Sequence, residues 1–199
     1  MQEREPISVK ALKAGDRETF AAMVDEYSPK LYKLALRMLR DPLEAEDVLQ
    51  EAFLKAFRGI NNFRGSSKLS TWLYRITANE ALMRLRKKEI DALPVDEPYF
   101  LKDGAEVPRE LKDWCCLPED ELMTTEAQDK LDDAISTLSP ALRAAFVLRD
   151  LQGLSTREAA EVLQISEAAI KTRLLRARLE LREILSGYFA ERLEGTSNG

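Results

Sequence analysis

The chain has 199 residues, 45% of them apolar, a formal net charge of −5 and no histidine. That length suits one large domain or two small ones, and eight Gly with eight Pro are too few for a low-complexity chain. Its two cysteines, Cys115 and Cys116, are neighbours. They do not meet ordinary disulfide geometry without strain, and alone they cannot complete a tetrahedral zinc site. The reading that follows is two free thiols of a reducing compartment, with a redox or metal-sensing role as the alternative. Glycine-rich phosphate loops, paired metal-binding histidines and nucleophile-elbow patterns are all missing, so the sequence predicts no catalytic site and no cofactor. No apolar run approaches the roughly 20 residues that cross a bilayer. The opening MQEREPISVK lacks the apolar stretch of a signal peptide. A cytoplasmic protein without membrane insertion is expected.

In chain order, Ser8 to Ala14 predicts a short helix stopped by Gly15. Asp16 caps the next, over Arg17 to Tyr27. Ser28-Pro29 is expected to restart or kink it, after which Leu31, Leu34, Ala35, Met38 and Leu39 recur at helical spacing. Asp41-Pro42 opens a third helix, on which Ala45, Val48, Leu49, Ala52, Phe53, Ala56 and Phe57 form an apolar stripe. Its other face carries Asp47, Gln50, Glu51 and Lys55. A loop, NNFRGSSKLS, leads into TWLYRITANEALMRLRKK, a helix that starts aromatic and ends basic. Charge is sharply segregated here: Asp41 to Glu51 holds five acids and no base, whereas Arg64 to Lys88 holds seven bases and one acid. A net acidic chain can therefore still carry a local phosphate-binding patch.

Asp91 to Glu121 carries ten acids against three bases, with prolines at 94, 98, 108 and 118. These deny it a long helix, so residues 94–121 are read as an extended acidic linker. Beyond it, Thr124 or Thr125 caps a helix through Leu138, and Ser139-Pro140 starts another over Ala141 to Leu151. Ser155-Thr156-Arg157-Glu158 is a capping-box signature opening Thr156 to Leu163. Ser166 caps a last helix from Glu167 to about Tyr188, followed by a frayed tail. The predicted fold is all-α: two small helical domains, 8–93 and 122–188, with a tail at 189–199. The second is a four-helix domain containing a helix-turn-helix.

The pattern LSTREAAEVLQISEAAIKTRLLRAR carries the helix-turn-helix. Ala159, Val162, Ile165, Ile170 and Leu174 pack its two helices. Lys171, Thr172, Arg173, Arg176 and Arg178 point outward, where Arg and Lys reach guanine acceptors and phosphates in a major groove. Gln164 stands where such a turn usually has glycine. In the first domain, Phe63, Trp72 and Tyr74 offer stacking faces beside Arg64, Lys68, Arg75 and Arg84, which suits a single strand. Trp72 and Tyr74 as core aromatics of a small bundle is the other reading, and both stay open.

These two motifs, in this order, resemble the ECF (extracytoplasmic function, group 4) bacterial RNA polymerase sigma factors over residues 8–93 and 122–188. The resemblance implies a promoter-recognition subunit that binds core RNA polymerase, melts the −10 element, reads the −35 element and has no catalysis of its own. It implies docking of Asp47, Gln50 and Glu51 on the clamp helices of the largest polymerase subunit. Contacts with the polymerase flap and regulation by an anti-sigma factor come with the same resemblance. Phe63, Arg64, Ser67, Lys68, Trp72, Arg75 and Asn79 are implied at the −10 DNA, and Lys171, Thr172, Arg173 and Arg176 at the −35 DNA. The acidic linker is implied to thread toward the active-site cleft and RNA exit channel. The competing readings are a two-domain helix-turn-helix activator that acts without replacing sigma, and a helical adaptor working through protein contacts alone.

Overall fold

The computed structural model describes residues 7–92 and 125–196, with side chains for 7–87 and 129–186. The linker 94–121, with Cys115 and Cys116, lies outside the described residues, as does the end of the tail at 197–199. Among the described residues every regular element is helical.

Helix α1, Val9–Lys13, is capped by the Ser8 hydroxyl, which accepts from the Ala11 amide. The chain reverses at Gly15, whose φ of +79° is open to glycine at no steric cost. The Asp16 carboxylate accepts from the Thr19 amide at 2.9 Å and starts α2, Arg17–Leu39. The restart expected at Ser28-Pro29 as one of two outcomes does not occur: one helix of 23 residues runs through Pro29. Pro29 removes the amide that would bond the Asp25 carbonyl. Both residues lie on the exposed side, where solvent can serve that carbonyl. The neighbouring Ser28 hydroxyl donates to the Val24 carbonyl at 2.6 Å.

Arg40, in the left-handed region at φ 57°, ends α2, and Asp41 caps α3, Pro42–Gly59, by accepting from the amides of Leu43 and Glu44. A short 3-10 turn, Ile60–Asn62, and a loop lead to α4, Leu69–Ala92. Helices α2, α3 and α4 pack on one another through Leu31, Leu34, Met38, Val48 and Leu73, all essentially unexposed. Burying each such side chain is worth about 1.5–3 kcal/mol. Ala45, Ala52 and Ala56 are buried as well, and their small side chains let the helices approach. Phe57, expected in this stripe, is 57% exposed; its ring makes a T-shaped contact with Phe20 on α2 at 5.2 Å instead of entering the core.

The second domain comprises α5, Thr125–Thr137, α6, Pro140–Phe146, a π-helical turn over Val147–Leu151, α7, Thr156–Leu163, and α8, Glu167–Thr196. The last helix runs past Tyr188, because FAERLE contains good helix formers and no breaker before Gly195. Ala144, Val147, Leu148, Val162, Ile170, Leu174 and Leu181 are its buried centre.

The two domains touch. Helix α4 packs on α6 and α7, and α2 packs on α5 and α6. This explains why α4 shows no clean apolar face: Trp72, Leu73, Tyr74, Ala78 and Ala81 are all buried, although they point in different directions around the helix. Arg143 on α6 is only 8% exposed and donates to the Met38 carbonyl at the end of α2.

Candidate nucleic-acid interface

The helix-turn-helix is built from local rules. Ser155 Oγ accepts from the Glu158 amide at 3.2 Å, and Glu158 Oε2 accepts from the Ser155 amide at 3.0 Å, closing the expected capping box. Gln164 does the work of the missing glycine by adopting φ 55° itself, and the Ile165 amide bonds back to the Ala160 carbonyl at 3.1 Å. Ser166 Oγ accepts from the Ala169 amide at 3.1 Å and so caps α8. Ala159, Val162, Ile170 and Leu174 are buried between the helices, and Ile165 is half-buried.

On α8, Lys171 is exposed, and Thr172, Arg173 and Arg176 are partly so. The Thr172 hydroxyl donates to the Ala168 carbonyl at 3.0 Å. Arg178 departs from the expected outward set. Its Nε and Nη2 each donate to the Asp150 carboxylate at 2.9 Å. The same carboxylate raises the guanidinium's pKa further. A forked pair of this kind fixes α8 to the π-helical turn, leaving Arg178 a positioning part in this structure.

In the first domain, Asp47 and Gln50 are exposed and Glu51 half-buried along α3. Charges of α3 and α4 partly satisfy each other: Arg84 reaches Asp47 at 3.3 Å and Lys55 reaches Glu80 at 2.6 Å, while within α3 Lys55 also lies 3.9 Å from Glu51. Sequence reasoning missed three apolar residues of this face. Leu43, Leu54 and Phe57 are exposed by 74%, 48% and 57%. With Asp47 and Gln50 they recur at helical spacing along one side of α3. The signal was the position of Leu43 and Leu54 outside the buried stripe.

The stacking faces expected of Phe63, Trp72 and Tyr74 are not open. All three are buried, with the Phe63 and Trp72 ring centroids 5.2 Å apart at 41°. An aromatic pair gains more from such contact and from leaving water than from an exposed ring. The core reading of Trp72 and Tyr74 is the one met here. Around this pair, Arg64, Lys68 and Asn79 are exposed, and Ser67 and Arg75 half-buried. Lys68 Nζ donates to Glu158 Oε1 at 2.8 Å, joining the loop to the capping box of α7. That hydrogen bond, followed by those from the Ser155 amide and hydroxyl, holds the Glu158 carboxyl down at about 2. Among the described residues no group of His, Cys, Asp or Glu is arranged to hold a metal. No helix among them is long and apolar enough to cross a membrane.

Residues 23–89 match the family described as sigma-70 region 2, and residues 128–181 match sigma-70, region 4. The ECF RNA polymerase sigma factor SigW of Bacillus subtilis (strain 168) is 37% identical over 177 residues, 89% of this chain and 94% of that protein. The RNA polymerase sigma-H factor of Pseudomonas aeruginosa is 35% identical over 195 residues, 96% of this chain and 98% of that one. Among solved structures, the sigma factor RpoE of Bartonella quintana, crystallised with the anti-sigma factor NepR, aligns with a TM-score of 0.61 at 25% identity. The alignment covers 84% of this chain and 96% of that one. The chain belongs to the sigma-70 family, in its ECF RNA polymerase sigma factor group.

Proposed function

We propose that this chain is an alternative sigma factor that binds core RNA polymerase and directs initiation at a specific set of promoters. The observation that carries the reading is the pairing of a region 2 match at 23–89 with a region 4 match at 128–181 in one chain, the latter bearing an intact helix-turn-helix. In this reading the α3 face of Asp47, Gln50 and Glu51, flanked by Leu54 and Phe57, docks on the clamp helices of the largest subunit. The second domain meets the flap. Lys171, Thr172, Arg173 and Arg176 enter the −35 major groove, where Lys and Arg find guanine acceptors.

Strand opening falls to the loop after α3. Extruding a base costs a few kcal/mol of lost stacking, so something must receive it. The Phe63–Trp72 pair is buried at the start of this loop, which runs on from Phe63 with Arg64 and Lys68 exposed and Ser67 half-buried. Gly65, at φ +72°, lets the loop backbone turn where a side chain would be strained. Arg75 and Asn79 continue the surface along α4 for the separated strand. Nucleotide chemistry stays with the polymerase, in the cytoplasm, and an anti-sigma factor that covers these faces is the regulating partner.

Run-off transcription with purified core polymerase tests the reading, using promoters selected from a random pool. Templated product that depends on this chain is expected; its absence would overturn the proposal. A Gly/Ser replacement of Arg64 to Lys68 should keep core binding but lose permanganate reactivity of −10 thymines on duplex DNA. Partial rescue on a pre-melted promoter is expected, and wild-type reactivity on the duplex would remove the loop from the melting step.

A further inference from the structure

Four cations gather on one side of α2. Lys30, Lys33 and Arg37, with Arg40 at the C-cap, follow one another at steps of three and four residues, so they are neighbours along the helix. Like charges at such steps oppose one another and weaken a helix slightly. Two of the four are answered by α5. Arg37 Nε lies 3.9 Å from Asp132, and Arg40 Nη1 lies 2.5 Å from Asp133 and 3.2 Å from the Ser136 hydroxyl. Lys30 and Lys33 are exposed, and neither is bonded to an acid among the described residues.

These cations line a cavity of about 680 Å3. Its facing wall is Asp129 and Asp132 of α5, with Leu151 and Gln152 at the end of the π-helical turn. Small-molecule sites have volumes of roughly 300–1,000 Å3 and combine apolar surface with a few convergent polar groups. Here Pro29, Leu36, Pro42 and Leu151 supply the apolar surface. The Tyr74 hydroxyl donates to Gln152 Oε1 at 3.3 Å, which leaves the Gln152 amide hydrogens for a further acceptor. The volume suits one small molecule and not a nucleic-acid duplex.

We propose that this cavity binds a nucleoside mono- or diphosphate. Lys30 and Lys33 are three residues apart, about 4.5 Å along the helix axis, so both reach one phosphate. A phosphate monoester carries nearly two negative charges at neutral pH and three acceptor oxygens. That suits two ammonium groups with no acid of their own. Arg37, about 6 Å beyond Lys33, reaches a second phosphate. Asp129 on the facing wall repels a bare polyanion but accepts from a ribose hydroxyl, as carboxylates do in dinucleotide sites. The prolines and leucines remain for the base. None of these residues belongs to the DNA or polymerase faces proposed above.

The test uses the full chain, without core polymerase or DNA. Calorimetric titration with AMP, GMP, ADP and GDP in magnesium-free buffer reads affinity, with inorganic pyrophosphate as control. At least one nucleotide should bind one to a chain, and about tenfold more tightly than pyrophosphate, because only the nucleotide has a hydroxyl for Asp129. Lys30→Gln with Lys33→Gln should weaken that binding about tenfold or more, through lost charge-assisted hydrogen bonds. Both lysines are exposed and unpaired, so circular dichroism of this variant should match wild type. Asp129→Asn should weaken nucleotide binding and strengthen pyrophosphate binding.

A second measurement is thermal. Nucleotide at about 100 times its Kd should raise the wild-type Tm by about 5–10 °C and leave that of the double-lysine variant unmoved. Any of three results overturns the site: no saturable binding at millimolar nucleotide, full binding by the double-lysine variant, or pyrophosphate bound as tightly as every nucleotide. Failure of the sigma reading shows separately: wild-type chain that binds nucleotide but gives no transcript with core sinks that reading and leaves this site in place.

Discussion

The guanidinium of Arg143 donates through Nη1 to the main-chain carbonyl of Met38 across 2.6 Å and 105 residues of sequence. Its Nη2 donates to the carbonyls of Leu138, at 3.1 Å, and Ser136. One cation thus serves the C-terminal ends of two helices from two domains, α2 and α5. Terminal carbonyls there have no partner within their own helix, and the helix dipole is negative. Arg143→Met should leave these carbonyls under-satisfied and cost about 2–4 kcal/mol. Arg143→Lys should recover only part, because an ammonium lacks the planar fork. Urea denaturation followed by circular dichroism measures both, and a loss below about 1 kcal/mol for the methionine variant would contradict the assignment.

The exposed side of α3 supplies a second expectation. Glu51→Lys and Gln50→Ala should each weaken core binding while leaving helix content intact, and Leu54→Ser with Phe57→Ser should weaken it further. Half-exposed apolar side chains beside polar ones suit a partner surface better than they suit water. Fluorescence titration of labelled chain with core polymerase checks this; wild-type affinity in all three would remove α3 from the interface.

Basic residues of α8 should divide into two kinds. Lys171→Ala should cost about 1–3 kcal/mol of promoter affinity if it reads a base edge, or lower the salt slope by about one if it meets phosphate. Arg178→Ala should instead lower folding stability, by about 1 kcal/mol, because its forked partner Asp150 is left behind. Asp150→Asn should reproduce the Arg178 effect and leave Lys171 contacts untouched. Melting curves alongside salt-dependent binding isotherms separate the two behaviours.

Acid should act through Glu158. Its folded pKa, held at about 2 by Lys68 and then by Ser155, is below the ordinary 4.5. A depressed carboxylate pKa contributes stability that is fully present above 4.5 and is lost as pH falls toward about 2. Between those values wild type should lose more stability than Glu158→Gln, which has no proton to take up there. Comparing the two melting temperatures from pH 5 to about 2 cancels the other carboxylates, and parallel curves would refute the role given to Glu158.

What was legible in the sequence was what local chemistry decides. The Ser155–Glu158 box, the Asp16 and Asp41 caps and the limits of α7 follow from side chains bonding backbone amides a few residues away. Misreadings arose where distant packing competes with local preference. Pro29 looked like a break, but the break it makes faces solvent and α2 continues. Phe57 fitted the period of the buried stripe, yet it pairs with Phe20 outside the core. Trp72 and Tyr74 read equally well as stacking platforms or core, and Phe63 read as a stacking face, since the sequence does not say that Phe63 and Trp72 are each other's neighbours. Nothing local pairs Lys68 with Glu158, and no periodicity in α4 could say that a second domain covers it.

That covering has a bearing on how long a molecule survives. Tyr74 is 6% exposed and Leu154 8%, on opposite sides of the domain contact. A chain that parted its domains away from polymerase would wet such residues and loosen α4, giving proteases an accessible segment. Lifetime would then track occupancy of the polymerase: shut or engaged, the chain is protected, and open and alone it is short-lived. Asp132→Lys with Asp133→Lys removes the ion pairs of these aspartates with Arg37 and Arg40 across the domain contact. A pulse-chase half-life that shortens for this variant, and lengthens again when core is supplied in excess, is the expected trace of that coupling.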